Sequence, residues 1–237
     1  MSKRARHAIA ALVGLACLLV GLFLYGNWAI HQVQPFYATA LKVDPVTLEH
    51  ASLEMESRVA ALVSDAAEKQ TWHAAFSDVE VNGWLATALT QKFAGLLPET
   101  VTDLRIAFSD RTAALGFRYQ DANYDSVFSI HFNAVINNTD VVAIRLLQAH
   151  AGKLPIPLTR IITQIATGAQ QQNIALRWTQ QEGDPVVLIP INDMLSDTTT
   201  ERRLETIEFH EGELYVAGST LSTEATVAEK EQATLDR

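Results

Sequence analysis

The chain has 237 residues, 48% of them hydrophobic, with one cysteine and a formal charge of −9. That length holds one ordinary domain plus something smaller, and a single cysteine excludes an intramolecular disulfide, so any folded unit must be held by its core. The acidic balance counts against nucleic acid and anionic surfaces as long-range partners.

The first element is apolar throughout. From Ala8 to Ile30 no residue is charged, and at about 1.5 Å per residue a helix there reaches roughly 34 Å, enough to cross the hydrocarbon of a bilayer. Lys3, Arg4 and Arg6 precede it and belong on the cytoplasmic side, with Tyr25, Trp28 and His31 at the far interface. A cleaved signal peptide is the alternative, but the small-x-small site Ala38-Thr39-Ala40 lies well past the apolar run. A lipidated Cys17 fits poorly too, since mostly apolar residues continue to Leu24. Ala10, Gly14, Cys17 and Gly21 form a stripe of small side chains where another helix can approach. Beyond residue 30 the chain carries 15 basic and 27 acidic residues, a formal charge of −12, so the exported part is acidic.

Residues 31–43 contain Pro35 and read as a connector. Asp44-Pro45 starts a helix, the aspartate capping free N–H groups and proline suiting the first helical position. Leu48, Met55, Val59, Leu62 and Ala66 then make a narrow apolar stripe, which packs on the domain or on a partner helix. Ser77-x-x-Glu80 is a capping box with Phe76 and Val81 as its staple, and Asp78 sits favourably in the first turn. Behind it Val81, Trp84, Leu85, Ala88, Leu89 and Phe93 share a helical face. Asn82 and Trp84 are the residues of this stretch that the cap does not require.

After Leu97-Pro98 the apolar period falls from 3.6 to 2. Four runs follow, around Thr102–Phe108, Ala113–Tyr119, Phe128–Ile136 and Val142–Leu146, separated by the turns Ser109-Asp110-Arg111 and Asn137-Asn138-Thr139-Asp140. They predict an antiparallel meander with one buried face. The segment Gly152 to Leu158, "GKLPIPL", leads into a helix with Leu158, Ile161, Ile162, Ile165 and Ala169 on one side. Further strands are expected at 186–191 and in a hairpin around Glu211-Gly212, and the polar tail lacks periodicity. The fold class expected is α+β: an N-terminal transmembrane helix, then an antiparallel meander sheet packed against two or three helices. The divisions are 1–30 (cytoplasmic stub and span), 31–74 (connector and amphipathic helix), 75–221 (exported domain) and 222–237 (disordered tail).

Chemistry is sparse. None of the seven histidines forms a paired ligand motif, and His131 reads as solvated or hydrogen-bonded on the polar side of a strand. No nucleophile elbow or reactive cysteine stands outside the apolar run. Asp121 to Asp125 resembles half a calcium loop, but Ser126 and Phe132 occupy the glycine and glutamate positions, so a polar turn is expected. Gly152-Lys153 lacks phosphate-loop spacing, and Asn137-x-Thr139 matches a glycosylation pattern only as a short motif. No catalytic, metal or cofactor residue is assigned.

The set Ser77-x-x-Glu80-x-Asn82-x-Trp84-Leu85, Leu97-Pro98, paired strands and Lys-Leu-Pro-Ile-Pro-Leu resembles small single-span bacterial envelope proteins of the YpmS type, over about residues 75 to 175. The resemblance implies one inner-membrane span and an extracytoplasmic domain of sheet against helix, in a family whose function is not established and for which lipid handling has been suspected; its motifs are structural and carry over no catalytic residue. The expected function is a non-enzymatic, membrane-anchored protein binding a lipid or other hydrophobic ligand, with Trp84, Phe93, Phe128, Phe132 and Ile162 as contacts. The rival is an accessory subunit docking on a membrane protein through its span and the 45–70 helix. Nucleic acid is not an expected partner.

Overall fold

The computed structural model describes residue 26 and residues 28–92, 97–122, 124–136, 141–171, 176–190 and 200–222. Among these residues no helix is long and apolar enough to cross a membrane. The expected span and its stripe of Ala10, Gly14, Cys17 and Gly21 lie outside the described residues, as do Phe93, Asn137 to Asp140 and the tail after Ser222.

The described chain is α+β and its strands pair antiparallel throughout. The expected meander is present as β2 (Val101–Ser109), β3 (Thr112–Gln120), β4 (Asp125–Ile136) and β5 (Val141–Ala151). It is extended into a seven-stranded sheet by β7 (Arg177–Gln181), β8 (Asp184–Pro190) and the short β6 (Leu154–Pro155). A second sheet was not anticipated. It has three strands in the order β1 (Thr71–Ser77), β10 (Glu213–Ser222), β9 (Thr200–His210), so the division placed between residues 74 and 75 falls inside a strand.

The two sheets pack through one apolar face. Phe108, Ala113, Ala134 and Val142 of the large sheet meet Phe209 of the small one. Phe209 stacks on Phe108 at 5.5 Å and meets Phe132 edge-on at 5.9 Å, the two arrangements that aromatic quadrupoles favour.

Five described helices surround this core: α1 (Pro35–Ala40), α2 (Pro45–Glu68), α3 (Asp78–Ala86), α4 (Ala88–Lys92) and α5 (Leu158–Gln171). Residues 31–43 are therefore more than a connector, because α1 lies on the sheet with Tyr37 only 1% exposed. Its ring sits where a side chain at Gly116 would stand: a Cβ there would come within 2.5 Å of Tyr37 Cδ2. The Tyr37 hydroxyl donates to the Asp103 carbonyl at 2.8 Å.

The cap on α2 is as expected, the Asp44 carboxylate accepting from the Thr47 N–H at 2.9 Å. The buried stripe, however, is Leu48, Ala51, Ser52 and Ala66, with Val59 exposed at 39%. A period of 3.5 drifts off one face of a straight 3.6-residue helix; small residues take the seam because α3 comes very close. A Cβ on Gly83 would meet the Leu48 carbonyl oxygen at 2.5 Å.

The capping box of α3 is complete. Ser77 Oγ accepts from the Glu80 N–H at 3.2 Å, and Glu80 Oε2 accepts from the Ser77 N–H at 2.8 Å. The helix expected to continue to Phe93 instead breaks at Thr87, whose hydroxyl donates to the Gly83 carbonyl.

Candidate functional site

Face and row positions follow from strand register. On the covered face of the large sheet, Phe117 pairs across from Phe128, Leu115 from Ile130 and Ala113 from Phe132. Helix α5 lies over this face with Ile161 buried, joining Ile130, Leu146 and Ala149 in a second apolar cluster. Around that cluster Phe117, Phe132, Ile156, Leu158, Ile162, Ile165 and Trp178 are only partly buried. A pronounced apolar stripe is thus covered on one side and left half open on the other. In a sealed core most of these side chains would be removed from water, each gaining about 1.5–3 kcal/mol.

Beyond α5 the stripe ends in an aromatic patch. Phe128 stacks on Phe117 at 5.7 Å and meets Tyr119 at 6.0 Å and Tyr124 at 6.1 Å. Of the sequence-predicted contacts, Phe132 and Ile162 share one cluster and Phe128 adjoins it through Phe117. Trp84 does not join them: it is half-buried on α3, outside both apolar clusters. Phe93 lies outside the described residues.

The opposite face of the sheet carries a polar group that sequence reasoning missed. Register aligns Arg105, Gly116, Ser129 and His150 in one row across four strands. Ser129 is 1% exposed and Arg105 7%. Arg105 Nε, Ser129 Oγ, Asn133 Oδ1 and His150 Nδ1 are buried with no hydrogen-bond partner in the structure.

His131 is half-buried rather than on an open face. Its ring lies 5.9 Å from Phe36 of α1 and 5.9 Å from His150, both edge-on. Burial and then the neighbouring His150 hold its imidazole below the usual histidine range. Over Gly116, burial pushes the Tyr37 phenol up to about 12. On strand β4, Ser129, His131 and Asn133 alternate as a solvated face would, and nothing in the alternation reveals that Phe36 of α1 packs on His131. The pair Phe36-Tyr37 was the available signal, but one sequence does not say where it docks.

Chemically this face offers two imidazoles and a serine. Ser129 Oγ and His150 Nδ1, on directly paired residues, are not bonded to each other. Among the described residues no three His, Cys, Asp or Glu side chains come together to hold a metal ion.

Asn82 is accounted for structurally. Its Nδ2 donates to the Ile106 carbonyl at 2.8 Å and its Oδ1 accepts from the Ile106 N–H at 2.7 Å, so one side chain completes the backbone pairing of edge strand β2. Glu80 is 5% exposed yet charged. Burial would raise its pKa, but the Ser77 N–H and hydroxyl and the Arg58 guanidinium, 2.9 Å away, hold the carboxyl below the usual range. The acidic turn between β3 and β4 is tied by Arg118, which binds Asp125 through both Nε and Nη2.

No family model, curated protein or solved structure matches the chain.

Proposed function

We propose that the protein is a membrane-anchored extracytoplasmic envelope protein that holds an extended lipid chain against the apolar face between α5 and the large sheet. In this reading the apolar segment 8–30 anchors the chain in the inner membrane, its last residues meeting the domain at the outer surface and the basic N-terminus in the cytoplasm, in keeping with the resemblance to YpmS-type proteins. The observation that carries it is the half-open cluster around Ile161, with Phe117, Ile156, Leu158, Ile162, Ile165 and Trp178 all in partial contact with solvent. Aliphatic and aromatic side chains without charge suit an acyl chain, which gains about 0.8 kcal/mol for each methylene removed from water. The test is lipid extraction and mass spectrometry of full-length protein solubilised gently from native membranes. Lipid retained in near-stoichiometric amount supports the reading; a folded sample free of lipid contradicts it.

A second reading has its own observation. Helix α2 exposes Val46 (65%), Leu53 (63%) and Val63 (64%). Beside Val46 lies an open depression of about 290 Å³ lined by Thr47, His50, Ala51, Glu54 and Val79. These features suit an accessory subunit docking a partner through α2. Elution as a lone 26.1 kDa chain in its micelle counts against that reading.

A further inference from the structure

The chain enters the domain at one definite end of the large sheet. Ser126, on the same face as Tyr119 and Phe128, donates its hydroxyl to the Ile30 carbonyl at 3.0 Å. The Lys153 N–H donates to the Ala29 carbonyl at 2.9 Å, and Gln34 Nε2 reaches the Gly152 carbonyl at 3.3 Å. Gly152 has φ +58, and a Cβ on it would lie 2.2 Å from the Ile30 carbonyl oxygen. Only glycine fits that seat, so residues 29–30 are held against the sheet end rather than tethered loosely.

The same end gathers exposed apolar and amphipathic side chains. Trp28 is 53% exposed, Val33 39% and Tyr124 37%. Lys153 Nζ lies 5.7 Å from the Trp28 ring centroid. The nearby acids are engaged: Asp125 by Arg118, and Asp121 by the Tyr119 hydroxyl at 3.3 Å. Tryptophan, tyrosine and lysine around an aromatic patch are the side chains that settle at the headgroup level of a bilayer. The turns at Asp110-Arg111 and Glu211-Gly212 are joined to each other at the opposite end of β3, nine residues or about 30 Å away.

We propose that the sheet end formed by Trp28, Val33, Tyr119, Tyr124 and Lys153 rests on the outer surface of the anchoring membrane, so that the aromatic mouth at Phe117 and Phe128 opens onto the bilayer. The ligand is then a membrane lipid, and its acyl chain passes from the leaflet along Phe128 and Phe117 to the stripe under α5 without crossing water. Lys153 meets the headgroup phosphate. This rests on the proposed anchor and lipid-holding face and adds to them a direction of entry and a lipid source.

The experiment uses the full chain in nanodiscs of phosphatidylethanolamine and phosphatidylglycerol, in a Cys17→Ser background. A nitroxide is placed by Tyr124→Cys, at a site already open to solvent, or by Glu211→Cys at the far turn, and its accessibility to oxygen and to a water-soluble nickel chelate is compared. We expect oxygen to dominate at 124 and nickel at 211, a reversal of sign in the depth parameter; nickel dominance at both sites overturns the proposal. Lipid retained after detergent extraction is measured on the same samples. Retained lipid with 124 in water removes the docking surface and leaves the lipid-holding face standing. A label at 124 in the bilayer without retained lipid supports the docked end and removes the ligand.

Discussion

Asn82 shows how one side chain closes a sheet edge. A single amide replaces the missing neighbour strand at Ile106 and is itself only 3% exposed. Asn82→Ala leaves a buried N–H and carbonyl unpaired, which costs about 2–4 kcal/mol from the usual penalty for each orphaned group. Chemical denaturation should show a lower midpoint, and a variant as stable as the parent would contradict the clamp. His131 gives a pH dependence. Its folded-state pKa is lowered by burial and by His150, so the unfolded chain binds the proton more readily. Its contribution to stability is present above the unfolded value of about 6.5 and is lost as pH falls through the folded value. The midpoint should therefore fall with acid in that window, before Glu80, whose own lowered pKa acts at more acid pH. His131→Gln should flatten the histidine limb while leaving the Glu80 limb in place; an unchanged profile would remove His131 as its source.

Among the elements, α5 covers the large sheet with its packing incomplete. Its stripe of Leu158, Ile161, Ile162 and Ile165 buries only Ile161, so its opening free energy belongs at the low end of the range set by buried apolar contacts. Hydrogen exchange should find α5 amides exchanging well before those of β3 and β4, and slowing when lipid is bound; protection equal to the sheet's would show a sealed core. Ile162→Glu, at a half-buried position, should reduce retained lipid severalfold at a stability cost of about 1–2 kcal/mol. Loss of lipid only through global unfolding would contradict that.

Elements whose signals are local were legible in the sequence. The capping box at Ser77, the cap at Asp44, the four meander strands and the Glu211 hairpin depend on neighbours within a few positions. The strand Thr71–Ser77 was hidden because its partner, β10, lies over a hundred residues away. Val59 was misjudged because helix phase drifts, and the buried row Arg105, Ser129 and His150 because covering by α1 is a tertiary event. For the candidate site, Phe132 and Ile162 lie in one apolar cluster, whereas Trp84 is on α3 outside both clusters.

At the scale of the whole molecule, two apolar clusters form a continuous layer through Phe132 and Ile144, which belong to both. The small sheet closes one end of that layer, while α5 leaves the other half open. The open half runs toward residues 28–34, where the chain arrives from the apolar segment 8–30. In the proposed reading anchor, mouth and stripe are successive parts of one path, and the acidic remainder of the domain is held off an anionic surface by its own charge. Every step of that path requires the domain to stand on the outer side of the membrane that residues 8–30 enter. The most direct measurement is a pair of reporters fused after Arg237, one that folds only outside the cytoplasm and one that fluoresces only within it. Activity of the first and silence of the second are predicted, with the first thirty residues retained in the mature chain; fluorescence inside the cell, or a mature chain lacking that segment, would contradict the account.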